Sequence, residues 1–176
     1  MIIMKKNKPG RPTGTSTGGA RPLTSAEIKR LKAVSKAGVR GDRNHAFVSF
    51  LLGTGARVSE PLQLTVADIA PEGRVLACVA LDKHQTKSRR SRKLHLSKTA
   101  QRELQAYLDK HLDLDATEAE AAASYSIGAL ALSSPLFPSC KGKEMNSNYA
   151  SQLVLNLLAA ASIHNASAHS FRATFA

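Results

Sequence analysis

The chain has 176 residues, and its 25 Lys and Arg against 13 Asp and Glu give a net charge of +12 at pH 7. This length is enough for one domain with a hydrophobic core, and the charge favours a polyanionic partner, nucleic acid before an anionic membrane surface. No apolar run approaches the roughly 18 residues of a membrane span, and Met1–Met4 is too short for a secretory signal. We therefore expect a soluble cytoplasmic protein that associates with the nucleoid.

The first 22 residues are rich in Lys, Gly, Pro and Thr. We expect residues 1–22 to form a basic disordered tail, because this composition cannot bury enough apolar surface to fold alone. Pro9-Gly10-Arg11-Pro12 is similar to the Gly-Arg-Pro centre of AT-hook arms, which lie in the minor groove. Arg11 is therefore a candidate DNA contact. A loosely attracted tail is the alternative, since Pro9 stands where an AT-hook has a second arginine.

Two helices are predicted after the tail. Thr24-Ser25-Ala26-Glu27 is a capping box, so a helix should begin there and end at Gly38 and Gly41. Asp42 is expected to cap the second helix. On that helix, His45 is predicted to lie on the surface.

The stretch Gly53–Leu64 is predicted to leave a tight turn and enter a short helix, because Val58 and Leu62 recur at helical spacing. Arg57 and Glu60 would then share one helix face and form an ion pair. An arginine at the start of a helix, where backbone N–H groups point the same way, is well placed to hold a phosphate. An ordinary solvent-facing ion pair gives the same spacing and is the alternative.

A β-hairpin with a basic tip is predicted next. Residues 74–81 are β-rich and residues 92–96 alternate, which is typical of two antiparallel strands. Residues 83–98 contain seven Lys or Arg and no Asp or Glu. Such a hairpin can place basic side chains on DNA phosphates. Its candidate DNA contacts are Lys83, Arg89, Arg90, Arg92 and Lys93.

The rest of the chain is predicted to be helical around one insertion. Ser97 should cap a helix that continues to Leu112, and Asn146 or Ser147 should cap another. Residues 113–134 are acidic and then Ala-rich, and we expect an irregular insertion with one short helix. These elements predict a mainly α-helical fold with a small antiparallel β-sheet (α+β).

Three motifs resemble those of the tyrosine recombinases (phage integrase family). Gly55–Glu60 is similar to the Gly-x-Arg-x-Ser-Glu run that carries the family's first active-site arginine, and His169–Arg172 is similar to its His-x-x-Arg box. Leu94–Leu96 stands where family members commonly read Val-Pro-Leu, and counting back from it places Lys87 at the active-site lysine. The motifs follow the family's order, so the resemblance implies a tyrosine-recombinase catalytic-domain-like unit over residues 23–176.

The resemblance implies site-specific DNA recombination or integration through a 3′-phosphotyrosyl intermediate, without a metal or other cofactor. Arg57 and Arg172 would hold the scissile phosphate, and Glu60 would orient Arg57. Lys87 would protonate the departing 5′ oxygen, although neighbouring basic residues of the hairpin compete for that assignment. His169 would bond the phosphate or manage the nucleophile's proton. Duplex DNA is the implied partner, bound by a homo-oligomer.

The sequence departs from the family's pattern at the nucleophile. In the family a tyrosine follows the second arginine by a few tens of residues, whereas this sequence ends four residues after Arg172. Tyr107, Tyr125 and Tyr149 precede the His-x-x-Arg box, and none is assigned as the nucleophile. We therefore expect a catalytic domain that is incomplete at its C-terminus and cannot cleave DNA alone. A non-cleaving regulator that occupies recombination sites and a generic basic nucleic-acid-binding protein are the alternatives.

Overall fold

The computed structural model describes residues 20–83, 90–113 and 130–175. Within these ranges the helices are α1 (Ser25–Ser35), α2 (Gly41–Thr54), α3 (Val66–Ile69), α4 (Lys98–His111), α5 (Ser147–Ala160) and α6 (Ala168–Phe175), with a 3-10 helix at Pro61–Gln63. Strands β1 (Cys78–Leu81) and β2 (Arg92–His95) pair antiparallel. The predicted mainly α-helical fold with a small antiparallel sheet is confirmed.

Several sequence predictions lie outside the described residues. They are the tail contact Arg11, the hairpin residues Lys87 and Arg89, and most of the 113–134 insertion. None of the described helices is long and apolar enough to cross a membrane.

Three helices begin at the predicted caps. The Thr24 hydroxyl accepts a hydrogen bond from the Glu27 N–H, and the Glu27 carboxylate accepts one from the Thr24 N–H. Ser97 caps α4 and Asn146 caps α5, each by accepting a backbone N–H of the first turn. These contacts satisfy donors that have no partner inside the helix.

The junction between α1 and α2 differs from the prediction. Gly41 begins α2 rather than ending α1, and the N-cap is Arg40, whose side chain makes no capping hydrogen bond. Asp42 instead lies in the first turn, where its carboxylate pairs with Lys110 of α4. A Cβ at Gly41 would lie 1.8 Å from the carbonyl oxygen of Lys36, so glycine is needed for the close approach of the two helices.

Helix α2 forms the centre of the core. It contacts α1, α4, α6 and β2, and 11 of its residues are buried. Phe47 and Phe50 are fully buried and pack edge-on against Phe137, with ring centroids 5.2 and 6.0 Å apart. A helix that contacts neighbours on most sides fixes the position of the segments at both of its ends. The segment at its C-terminal end begins at Gly55.

The prediction that His45 lies on the surface is wrong. The residue is 8% exposed, and its Nδ1 atom lies 3.2 Å from both the Ser35 hydroxyl and the carbonyl oxygen of Lys32. Its Nε2 atom lies 3.8 Å from a carboxylate oxygen of Glu103 on α4. His45 is buried because α1 and α4 both pack against the side of α2 that carries it.

The hairpin is confirmed, with a shorter first strand than predicted. β1 begins at Cys78 rather than at residue 74, because the Val75 and Leu76 N–H groups donate to Gln105 and Ile69 instead of to a strand. The register pairs Cys78 with His95 and Leu81 with Arg92. Arg92 therefore lies at the end of the sheet that leads into the basic connection.

Candidate functional site

Arg57 and Glu60 lie in the turn that follows α2. The prediction that both stand on a helix is wrong, because the 3-10 helix begins only at Pro61. The Glu60 carboxylate folds back on the turn and accepts the Arg57 N–H at 2.6 Å and the Arg57 guanidinium at 3.2 Å. Glu60 is fully buried, whereas the Arg57 side chain is 39% exposed. The pair is therefore not the solvent-facing ion pair that the spacing also allowed.

Arg92 binds the same carboxylate from the hairpin. Its guanidinium Nη2 donates to the Glu60 oxygen that also accepts the Arg57 N–H. The Nε atom of Arg92 is buried and has no hydrogen-bond partner among the described residues. Glu60 thus joins the turn after α2 to the first residue of β2.

The strand period explains why Arg92 reaches this position. In β2, Leu94 is buried and Arg92 is half-buried, whereas Lys93 and His95 are exposed. Since successive side chains of a strand point to opposite faces, Arg92 shares the inward face with Leu94. This alternation is visible in the sequence and could have separated Arg92 from the other basic residues of the hairpin.

Arg172 reaches the same region from α6. Its Nη1 donates to the carbonyl oxygen of Gly55 at 2.8 Å. Gly55 is the C-cap of α2 and has a left-handed conformation, with φ at 60°. The ring of Phe175, also on α6, packs so closely that a Cβ at Gly55 would lie 2.7 Å from it. The end of α2 therefore positions the helix that carries Arg172.

Three guanidinium groups and one carboxylate meet at this site. The pKa of Arg172 is lowered by burial and by repulsion from Arg57 and Arg92, and Glu60 partly opposes this shift. A guanidinium group carries its charge throughout the physiological pH range. Three positive charges and one negative charge leave an excess of about +2. A site with this excess attracts anions.

The remaining predicted site residues that the structure describes lie on α6 and on the hairpin. His169 is exposed in the first turn of α6, three residues before Arg172, a spacing that places both on one side of the helix. Of the predicted DNA contacts in the hairpin, those exposed at the ends of its connection are Lys83, Arg90 and Lys93. Arg57, Arg92, Arg172 and Glu60 are brought together, whereas Lys87 and Arg89 lie outside the described residues.

Residues 21–176 match the sequence profile of the Phage integrase family. The chain belongs to this family. Among solved structures, it is similar to XerA recombinase, with a TM-score of 0.62 and 22% identity over 88% of this chain and 48% of that chain. It is also similar to the Tn1549 transposon integrase in complex with circular intermediate DNA, with a TM-score of 0.60 and 18% identity over 91% of this chain and 52% of that chain.

A third similar structure is XerH site-specific recombinase bound to difH substrate, with a TM-score of 0.54 and 18% identity over 89% of this chain and 42% of that chain. The chain thus spans about half the length of these relatives. No curated protein sequence matches it. The likeness confirms the expected tyrosine-recombinase catalytic-domain-like fold.

The tyrosines of this phage integrase family member have different surroundings. Tyr107 is buried in α4, and its hydroxyl donates to the carbonyl oxygen of Leu136 at 3.3 Å. Tyr149 is 49% exposed on α5, and Tyr125 lies outside the described residues. Tyr107 is therefore a packing residue.

Proposed function

We propose that this chain binds duplex DNA for site-specific recombination or integration and holds one backbone phosphodiester between Arg57 and Arg172. The observation that carries the proposal is that Arg172, 115 residues from Arg57 in the sequence, donates to the carbonyl oxygen of Gly55, two residues before Arg57. The two cations thus lie at one turn, where their charges repel. Repulsion of this kind costs free energy in the unliganded protein. A bound phosphodiester would offset that cost, because it supplies the missing negative charge.

The pocket formed by Arg57, Arg92, Arg172 and Glu60 suits a phosphodiester chemically. A guanidinium group donates parallel N–H bonds to two oxygens of a phosphate and stays charged at any physiological pH. During transesterification, charge builds on the non-bridging oxygens, which fixed cations stabilise. The similar Tn1549 transposon integrase structure is a complex with circular intermediate DNA, which supports DNA as the ligand class.

The remaining roles follow from the family resemblance. We assign Glu60 to orienting Arg57, Lys87 to protonating the 5′ oxygen, and His169 to the phosphate or the nucleophile's proton. Contacts to the flanking DNA backbone are assigned to Arg11, Lys83, Arg89, Arg90 and Lys93. A homo-oligomer on DNA and association with the nucleoid belong to the same proposal. No tyrosine of the chain is assigned as the nucleophile, so the proposal concerns phosphate binding and not cleavage.

The first prediction tests the two pocket arginines. We expect Arg57→Gln and Arg172→Gln each to weaken binding to a labelled DNA duplex by about tenfold, because each removes a charged hydrogen bond to one phosphate. Fluorescence anisotropy at fixed salt measures the affinity. Arg102→Gln is the matched control, since Arg102 is exposed on α4 and its loss removes the same charge.

Two results would contradict the proposal. One is an equal loss of affinity for Arg102→Gln and the two pocket variants, with all three variants folded by thermal unfolding. The other is equal binding of duplex DNA and RNA that neither pocket substitution changes, which would favour a generic basic nucleic-acid-binding protein.

A further inference from the structure

The hairpin contributes one cation to the pocket and presents another to solvent. Arg92 lies on the inward face of β2 and pairs with the buried Glu60, while Lys93 lies on the opposite, exposed face. Both residues belong to the same basic charge run of the sequence. Their environments therefore differ in a way that charge alone does not predict.

Glu60 holds Arg92 and Arg57 in one arrangement. The carboxylate has no exposure to solvent and accepts three hydrogen bonds, from the Arg57 N–H and from both guanidinium groups. A buried carboxylate shared by two guanidinium groups fixes their relative orientation. Glu60 accepts from only one guanidinium nitrogen of each arginine, so other N–H donors of both guanidinium groups remain. The Arg92 side chain is 33% exposed.

Arg92 also has a donor that the unliganded protein does not use. Its Nε atom is buried without a hydrogen-bond partner among the described residues. A buried donor without a partner destabilises the protein relative to one that is hydrogen-bonded. A small shift of the guanidinium toward a bound anion would give this donor a partner. Arg172 lies near Arg92 and would be a further cation for the same anion to contact.

We propose that Arg92 is a third phosphate-binding residue of the pocket, oriented by Glu60, and not a contact of the hairpin with the DNA groove. This inference rests on the proposed phosphate site of Arg57 and Arg172. Because Arg92 directly follows the basic connection and pairs with Leu81, its engagement also fixes the end of the hairpin at the pocket. Phosphate binding and hairpin position are thus coupled through a single carboxylate.

The test compares the same conservative Arg→Lys substitution at the site and at an exposed arginine elsewhere. Arg92→Lys keeps the charge but loses the planar fork that binds Glu60 and a phosphate together, and we expect about a tenfold loss of affinity for a DNA duplex. Arg102→Lys makes the same change on the exposed face of α4, away from the assigned DNA contacts, and should change the affinity by about twofold at most. Thermal unfolding of each variant checks the fold. Arg92→Lys is chosen over Arg92→Gln because it keeps a cation beside the buried Glu60 carboxylate.

A double-mutant cycle distinguishes phosphate binding from a purely structural role. Glu60→Gln releases both arginines, so Glu60→Gln combined with Arg92→Lys should bind DNA no more weakly than the worse single variant. The Arg92 and Arg172 substitutions should likewise be non-additive in DNA affinity, because both act on one phosphate. Loss of thermal stability with an unchanged DNA affinity would overturn the inference.

The outcomes also separate the inference from the proposed function. Wild-type affinity in Arg92→Lys, together with a clear loss in Arg57→Gln and Arg172→Gln, would overturn the role of Arg92 and leave the phosphate site in place. No loss in Arg57→Gln and Arg172→Gln would remove the phosphate site itself, and the inference with it.

Discussion

At the scale of single residues, Gly55 is required for two separable reasons. Its φ of 60° is left-handed, which costs a non-glycine residue about 1–2 kcal/mol. A Cβ would also lie 2.7 Å from the Phe175 ring, on the helix that carries Arg172. We therefore expect Gly55→Ala to lower the free energy of unfolding by about 2–3 kcal/mol, measured by urea denaturation.

Gly38 provides the control for this prediction. Its φ is +81°, but nothing lies within 4 Å of a Cβ placed there. Gly38→Ala should therefore cost only the backbone strain, about 1–2 kcal/mol. Adding Phe175→Ala to Gly55→Ala should recover part of the stability. Equal effects at Gly38 and Gly55, with no recovery in the double variant, would show that packing against Phe175 contributes nothing.

At the scale of elements, local rules predicted some boundaries and failed at others. Thr24, Ser97 and Asn146 cap their helices as predicted, because a cap depends on residues two or three positions away. The turn at Arg57 was not predictable in this way, since the buried Glu60 carboxylate accepts the Arg57 N–H and replaces a helical hydrogen bond.

The candidate site was predictable only in part, because its residues meet through long-range packing. The family resemblance identified Arg57 and Arg172, but spacing alone could not show that α6 would place Arg172 on the carbonyl of Gly55. The alternation of β2 places Arg92 on the face of Leu94, which the sequence shows, but the pairing of Arg92 with Glu60 depends on tertiary packing. Charge alone groups Arg92 with the exposed basic residues of the hairpin.

Helices α1, α2 and α4 enclose a histidine whose titration should affect stability. Burial lowers the pKa of His45 below its usual 6.5; the positive Lys32 and Lys36 lower it further, and Glu103 partly opposes them. Between the folded pKa and 6.5, the unfolded chain binds more protons than the folded protein. Stability should therefore be fully present above pH 6.5 and decrease as the pH falls below it.

Urea denaturation at about pH 7.5 and about pH 5.5 measures this effect. We expect the free energy of unfolding of the wild-type protein to be lower at the acidic pH than at the higher one. The decrease should be smaller for His45→Gln. His95, exposed on β2, is the control, since His95→Gln should keep the wild-type dependence on pH. An identical decrease in wild type and His45→Gln would assign the pH dependence to other groups.

At the scale of the whole molecule, positive charge is concentrated in two parts of the sequence. Residues 1–43 contain eleven Lys or Arg and two acidic residues, which gives +9, and residues 83–98 contain seven Lys or Arg without an acidic residue. Counterion release makes the salt dependence of DNA binding a measure of how many of these cations neutralise phosphates. The same measurement separates specific contacts from the effect of net charge, because charge outside the interface changes the slope far less.

The final prediction concerns the basic residues of the tail. We expect their combined substitution by Gln to reduce the slope of log affinity against log salt by up to about 3–4, at roughly 0.9 for each phosphate that is no longer neutralised. The residues changed are Lys5, Lys6, Lys8 and Arg11. A control variant removes the same number of charges from exposed positions of the folded domain, namely Lys36, Arg102, Lys141 and Lys143. Anisotropy titrations from about 50 to about 200 mM salt give both slopes. If the two variants reduced the slope equally, net charge would explain the binding and the tail would have no phosphate contacts of its own.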